Sequence, residues 1–118
     1  MSSKNRDAAY LWDMVQAISH VQNFVEDITY DDYINSHLIQ SAVERQLEIL
    51  GEAAGRISTE LRQANPDIDW KRIVGLRNVL IHQYNKVEIE TIWKIATTVV
   101  VPVKKRLESL LPPLFEPE

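Results

Sequence analysis

Leu11, Met14, Val15, Ile18, Val21, Val25 and Ile28 recur at steps of three and four residues. That is the period of an amphipathic helix with one face turned to a core. It predicts a first helix from about residue 6 to about residue 27. Thr29-Tyr30-Asp31-Asp32 then reads as a helix start, with Thr29 and Asp32 at capping-box spacing. Ile39, Val43, Leu47, Leu50, Ala54 and Ile57 carry the same period onward. The expectation is one second helix from that start to near Ile57. Gly51 and Gly55 lie inside it, four residues apart on one face, where missing side chains let another helix approach.

Ser58 to Asn65 suits a short helix, broken at Asn65-Pro66-Asp67 because a residue before proline resists helical geometry. Asp67 or Asp69 can cap a following helix that starts at Trp70 and ends near Tyr84-Asn85. In the last helix Ile89, Ile92, Trp93, Ala96, Val99, Val100, Val103, Leu107 and Leu110 fall on one side. Pro102 sits within that pattern and should kink it. The expected architecture is all-α, an antiparallel up-and-down bundle of four long helices plus a short one. The whole chain, 1–118, reads as one domain with its core at about 8–110 and an extended, poorly ordered tail at 111–118.

Composition narrows the function classes. With no cysteine, a disulfide scaffold and a thiolate metal site are excluded. No apolar run approaches the roughly 20 residues of a membrane span, and no apolar signal core follows Met1, so a cytoplasmic location without membrane contact is expected. Thirteen basic and seventeen acidic side chains give a net charge of −4, which argues against a protein that coats nucleic acid through bulk charge. Local basic clusters remain at Lys71, Arg72 and Arg77 and at Lys104, Lys105 and Arg106. No glycine-rich phosphate loop is present, and three scattered histidines lack metal-ligand spacing. His20 and His37 fall off the apolar stripes and are expected on the surface.

Arg77-Asn78-Val79-Leu80-Ile81-His82-Gln83-Tyr84 sets strong polar groups into an apolar segment, where an unpaired polar group is costly. At about 100° per residue, Val74, Arg77, Ile81 and Tyr84 fall within about 40° of Trp70. Asn78 and His82 form a four-residue pair on the flank. Arg77 and His82 are separated by about 140°, so one regular helix cannot easily aim both at one spot. Either the helix ends or distorts near His82, or a cleft between helices or protomers collects both groups. The second is favoured, as a symmetric dimer whose two motifs face a shared groove. The structural alternative pairs Arg77 with a carboxylate of the second helix, where Glu44, Glu48 and Glu52 repeat every four residues.

At these residues the chain resembles the HepT-like family of HEPN-domain proteins. The family signature is Arg, four residues, His, one residue, Tyr, present here as Arg77, His82 and Tyr84, with Asn78 as the polar residue after the Arg. Ala42-Val43-Glu44-Arg45, Leu50-Gly51-Glu52-Ala53-Ala54, Trp70 through Asn78 and Val87 to Trp93 also look like the family, so the resemblance covers about residues 8–110. It implies a helical homodimer acting as a metal-independent endoribonuclease, the toxin of a type VII-like toxin–antitoxin pair. Arg77 and His82 would be catalytic, Asn78 and Tyr84 supporting. Histidine, with an ordinary pKa of about 6.5, suits proton transfer near neutrality, and arginine holds a phosphate bidentately. The resemblance further implies that a minimal nucleotidyltransferase antitoxin transfers AMP from ATP onto Tyr84, silencing the cleft. The chain itself would need no cofactor, its substrate would be RNA, and tRNA and mRNA both stay open. Two other classes remain: a non-catalytic binding module that acts only in complex with the nucleotidyltransferase, and a dimerising structural bundle in which Arg77 pairs with Glu48 or Glu52.

Overall fold

In the computed structural model residues 3–82 and 88–113 are described, with side chains from 5 to 80 and from 88 to 113. Every regular element among them is helical: α1 (Ser3–Val25), α2 (Tyr30–Ile34), α3 (His37–Gly55), α4 (Thr59–Ala64), α5 (Trp70–His82) and α6 (Ile89–Lys94). A π-helical segment, Ile95–Val99, then leads into α7 (Val100–Leu110). α1 packs against α3 and α7, and α3 packs against α5. Contacts along the chain set the directions. Ser58, just beyond α3, bonds Asp7 near the start of α1. Gly51 of α3 faces Arg77 and Gly55 faces Val74, so α5 runs back along α3. Lys104 of α7 donates to Gln22 near the end of α1. The bundle is therefore up-and-down, as its apolar periods imply.

Met14, Ile18 and Val21 of α1, Val43, Leu47 and Ala54 of α3 and Leu107 of α7 are fully buried on the bundle axis. His20 and His37 are exposed, as their positions off the stripes require.

The second helix is not continuous. The capping box forms, with Asp32 N–H donating to Thr29 Oγ1 at 3.1 Å and Thr29 N–H to Asp32 Oδ2 at 2.9 Å. The helix it starts lasts only five residues. Asn35 Nδ2 then donates to the Asp31 carbonyl, and Ser36 Oγ accepts from Ile39 N–H to open α3. These short polar side chains offer the backbone a local alternative to helix continuation. Gln40 reaches back to the Tyr33 and Ile34 carbonyls, satisfying the freed end of α2. The break lets Tyr33 turn inward, where it is buried against Trp93 of α6 at 5.1 Å between ring centroids.

The last helix departs from α geometry at Ile95–Val99, about one turn before Pro102, and not at the proline itself. Pro102 lacks an N–H and its ring crowds the carbonyl four residues back, at Thr98. Widening the preceding turn, with Val100 N–H reaching the Ile95 carbonyl, relieves that crowding. Thr97 Oγ1 donates to the Trp93 carbonyl at 2.8 Å in the same stretch. α7 stops at Leu110, and Leu111 before Pro112 is extended, as a pre-proline residue prefers. The expected tail beyond residue 113 and the expected helix end near Tyr84-Asn85 lie outside the described residues.

Burial, and then the neighbouring Glu48 charge, raise the Glu44 carboxyl above its ordinary pKa. Burial, with help from Glu44 and Tyr30, pushes the Tyr33 phenol up to about 12. A raised carboxyl favours the folded state when protonated, so its contribution is present at low pH and lost as pH rises through the raised value. Glu44→Gln should therefore stabilise the protein at pH 7 by about 0.2–0.5 kcal/mol, the scale of a like-charge pair one helical turn apart. Thermal melts of both proteins should converge near pH 3.

Candidate functional site

α5 carries the motif, and the two ends of that helix are fixed differently. At its start Asp69 Oδ1 accepts from Arg72 N–H at 3.2 Å, an N-cap bond on the residue that sequence spacing offered beside Asp67. Asp67 is used elsewhere. Arg106 of α7 donates through Nε to Asp67 Oδ2 at 2.8 Å and through Nη2 to Asn65 Oδ1 at 2.7 Å. That hydrogen bond holds the Asp67 carboxyl below the usual carboxylate range. Trp70, itself buried, donates its indole N–H to the Asn65 carbonyl at 3.0 Å. The turn leading into α5 is thus clamped to α7 by one guanidinium and to its own first residue by one indole. Sequence reading treated Asn65-Pro66-Asp67 as a helix breaker and did not see it as an acceptor set for Arg106. Two acceptors flanking a proline, with an unassigned arginine in the last helix, are the signal it left.

The buried stripe of α5 is Trp70, Ile73 and Leu80. Arg77 lies on that stripe by helical register, between Ile73 and Leu80, and is half-buried. It sits there because α3 offers a glycine. A Cβ added at Gly51 would come within 2.9 Å of the Arg77 backbone nitrogen and 3.0 Å of both Arg77 Cβ and the Ile73 carbonyl oxygen. At Gly51 the backbones of α3 and α5 therefore come into direct contact. At Gly55 the same addition meets only Val74 Cγ1 at 3.9 Å, an ordinary contact. Of the two glycines read as a close-approach face, Gly51 has that role and Gly55 does not.

Of the three α3 carboxylates offered to Arg77, two are paired along their own helix, and Glu44 makes no ion pair among the described residues. Glu48 pairs with Arg45 at 3.1 Å and Glu52 with Arg56 at 3.6 Å, each along α3. Among the described residues no ion pair involves Arg77. Of the basic clusters, Arg106 and Lys104 are engaged by Asp67 and Gln22, and Arg72 makes a loose, exposed pair with Asp69 at 3.7 Å. Lys71 and Lys105 are exposed.

Asn78 is exposed on the outer side of α5, and the helical register sets His82 one turn beyond it and Gly75 and Lys71 before it. A Cβ at Gly75 would meet nothing within 4 Å, so this stretch of α5 is open to close approach from outside. Next to it Asp69, Arg72, Leu76 and Val79 line a shallow groove. Ile95, Val99 and Val103 extend its apolar floor toward α7. The His82 backbone is the last described position of α5; its side chain and the whole of Tyr84 lie outside the described residues. Arg77 and Asn78 are about 100° apart around one helix, the first half-buried and the second exposed. Among the described residues no group of three or more His, Asp or Glu side chains is placed to hold a metal ion, and no helix is long and apolar enough to cross a membrane.

Residues 14–110 match the family described as ribonuclease HepT-like. A protein of Methanocaldococcus jannaschii named "Putative RNase MJ1380" is 41% identical over 106 residues, covering 90% of this chain and 97% of that protein. A Thermococcus cleftensis protein named "Probable ribonuclease HepT" is 33% identical over 101 residues, covering 86% of this chain and 92% of its own length. No solved structure matches the chain significantly.

The Gly51 contact gives a direct test of how Arg77 is seated. Gly51→Ala should destabilise the protein by about 1–3 kcal/mol, the cost of overpacking a filled interface. Gly55→Ala should be neutral or stabilising. Urea melts of the two variants separate a required close approach from general glycine tolerance.

Proposed function

The chain belongs to the HepT-like ribonuclease family, and from that premise we propose that it is an endoribonuclease toxin working through Arg77 and His82. The observation that carries the reading is Arg77 itself. Arg77 lies on a half-buried stripe and makes no ion pair among the described residues, so its guanidinium is available for an anion. Its backbone nitrogen and Cβ pack against Gly51, which fixes where the side chain leaves the helix.

The reaction needs two proton transfers and one site of charge stabilisation. The RNA 2′-hydroxyl attacks the adjacent phosphorus, the bond from phosphorus to the 5′-oxygen breaks, and a cyclic phosphate forms. One His82 takes the proton from the 2′-hydroxyl, and a second, from a partner protomer, gives a proton to the departing 5′-oxygen. Arg77 neutralises the charge that builds on the phosphate oxygens. Asn78 orients His82 or donates to the phosphate. A homodimer supplies the second motif and removes the problem that Arg77 and His82 point about 140° apart on one helix. The apolar floor of Leu76, Val79 and Val99, with Val79 40% and Val99 44% exposed, supports a second copy beside α5. No metal enters this scheme.

Regulation is by a minimal nucleotidyltransferase antitoxin. The Tyr84 phenol oxygen attacks the α-phosphorus of ATP, pyrophosphate leaves, and the phenol proton passes to solvent. The adenylyl group adds a negative charge and bulk beside Arg77, opposing RNA electrostatically and sterically.

Purified, unmodified protein should cleave RNA. His82→Ala should lower the rate by about 10²–10⁴-fold and Arg77→Ala by about 10²–10³-fold, with circular dichroism unchanged. Intact mass after incubation with the nucleotidyltransferase and ATP should rise by adenylyl units, and Tyr84→Phe should abolish the gain. Cleavage unaffected in both alanine variants would remove these roles. Firm binding to the nucleotidyltransferase by an unmodified protein that cuts no RNA would instead favour a non-catalytic module.

A further inference from the structure

On the face carrying α2 and α6, apolar side chains stand in solvent without a covering element. Leu38 is 80% exposed, the most open large apolar side chain among the described residues. Across the break at Asn35-Ser36, Ile34 ends α2 and Tyr30 lies one turn before it, each 37% exposed. Tyr30 leans on Trp93 of α6 at 5.9 Å between ring centroids, and Ile89, one turn before Trp93, is 40% exposed. These residues form an apolar strip from the start of α3 across α2 to the first turn of α6. Exposed carboxylates accompany it along the chain: Asp27, Asp31 and Asp32 before and within α2, Glu88 and Glu90 at the start of α6. Lys94 is the sole lysine or arginine on the described parts of α2 and α6.

We propose that this strip docks a protein surface with an apolar centre and a basic rim, and that the nucleotidyltransferase that modifies Tyr84 presents it. The proposal rests on the modification reading above. The charge pattern selects the occupant. RNA and an anionic lipid surface would both be repelled by these carboxylates. A second copy on a two-fold axis would set the same patch against itself, carboxylates against carboxylates. A basic rim is the complementary case, and an apolar centre ringed by charge is the usual anatomy of a protein–protein contact.

Position supports the same occupant. Ile89 follows Tyr84 by five residues, and five extended residues span at most about 18 Å. A domain seated on Ile89 therefore has Tyr84 within reach of its own active site. The open side of α5, with Lys71, Gly75 and Asn78, stays free for RNA. Substrate and modifying enzyme would approach surfaces of opposite charge.

The test uses the full chain and two substitutions on surface residues outside the cleft, Leu38→Arg, which puts a charge into the apolar strip, and Glu90→Arg, which reverses one beside it, alone and together. Binding of the purified nucleotidyltransferase is measured by calorimetry, and adenylyl transfer is followed by intact mass at varied concentrations of the chain. The double variant should bind at least tenfold more weakly and show a KM for transfer raised by a similar factor, with kcat, RNA cleavage and sedimentation as in wild type. Unchanged binding and KM in the double variant would overturn the docking site while leaving Tyr84 modification intact. Wild-type binding that weakens in the variants, with no mass gain in either, would keep the docking site and remove the modification. Loss of the dimer in the variants would assign the strip to a second copy and overturn the proposal, as would absence of wild-type binding.

Discussion

α3 and α5 touch backbone to backbone at Gly51, and the placement of the motif depends on that contact. With Arg77 N and Cβ and the Ile73 carbonyl all about 3 Å from where a Cβ would be, no other residue type fits without moving a helix. The close approach seats a charged residue on a stripe otherwise made of Trp70, Ile73 and Leu80. A half-buried guanidinium costs desolvation unless it finds an anion. The fold thus imposes the electrostatic demand that a phosphate would meet.

A second constraint acts at the end of the bundle. Arg106 ties Asn65 and Asp67 to α7, Trp70 bonds back to Asn65, and Asp7 receives both the N–H and the hydroxyl of Ser58. Arg62 turns inward on the Gly55 and Ile57 carbonyls, where its charge faces the negative end of α3. The ends of α1, α3, α5 and α7 near these residues are cross-linked by polar bonds. The other end of α5, toward His82, is held by apolar packing alone among the described residues.

Net charge is a poor guide to how such a chain meets its partners. The total is −4, yet the carboxylates concentrate beside α2 and α6, whereas the outer side of α5 presents Lys71 and Arg72. A small helical bundle has enough surface to hold both signs apart, and local potential matters more than the sum for what approaches where.

The sequence by itself determined the helices and their caps. Three- and four-residue steps, the Thr29/Asp32 box, the stop before Pro66 and the end before Pro112 are local matters, decided by neighbours within one turn. It also determined the motif, because Arg77, Asn78, His82 and Tyr84 are adjacent in the chain and the family resemblance rests on them. Tertiary structure decided what depends on contacts between distant residues. The split of the second helix at Asn35-Ser36 goes with Tyr33 packing on Trp93, some sixty positions on. The π turn lies ahead of Pro102, and α7 beyond it packs on α1. Arg77 makes no ion pair among the described residues, while Glu48 and Glu52 pair with Arg45 and Arg56. A repeat of glutamates along α3 is compatible with either pairing. Only the packed helices set which cation each carboxylate can reach.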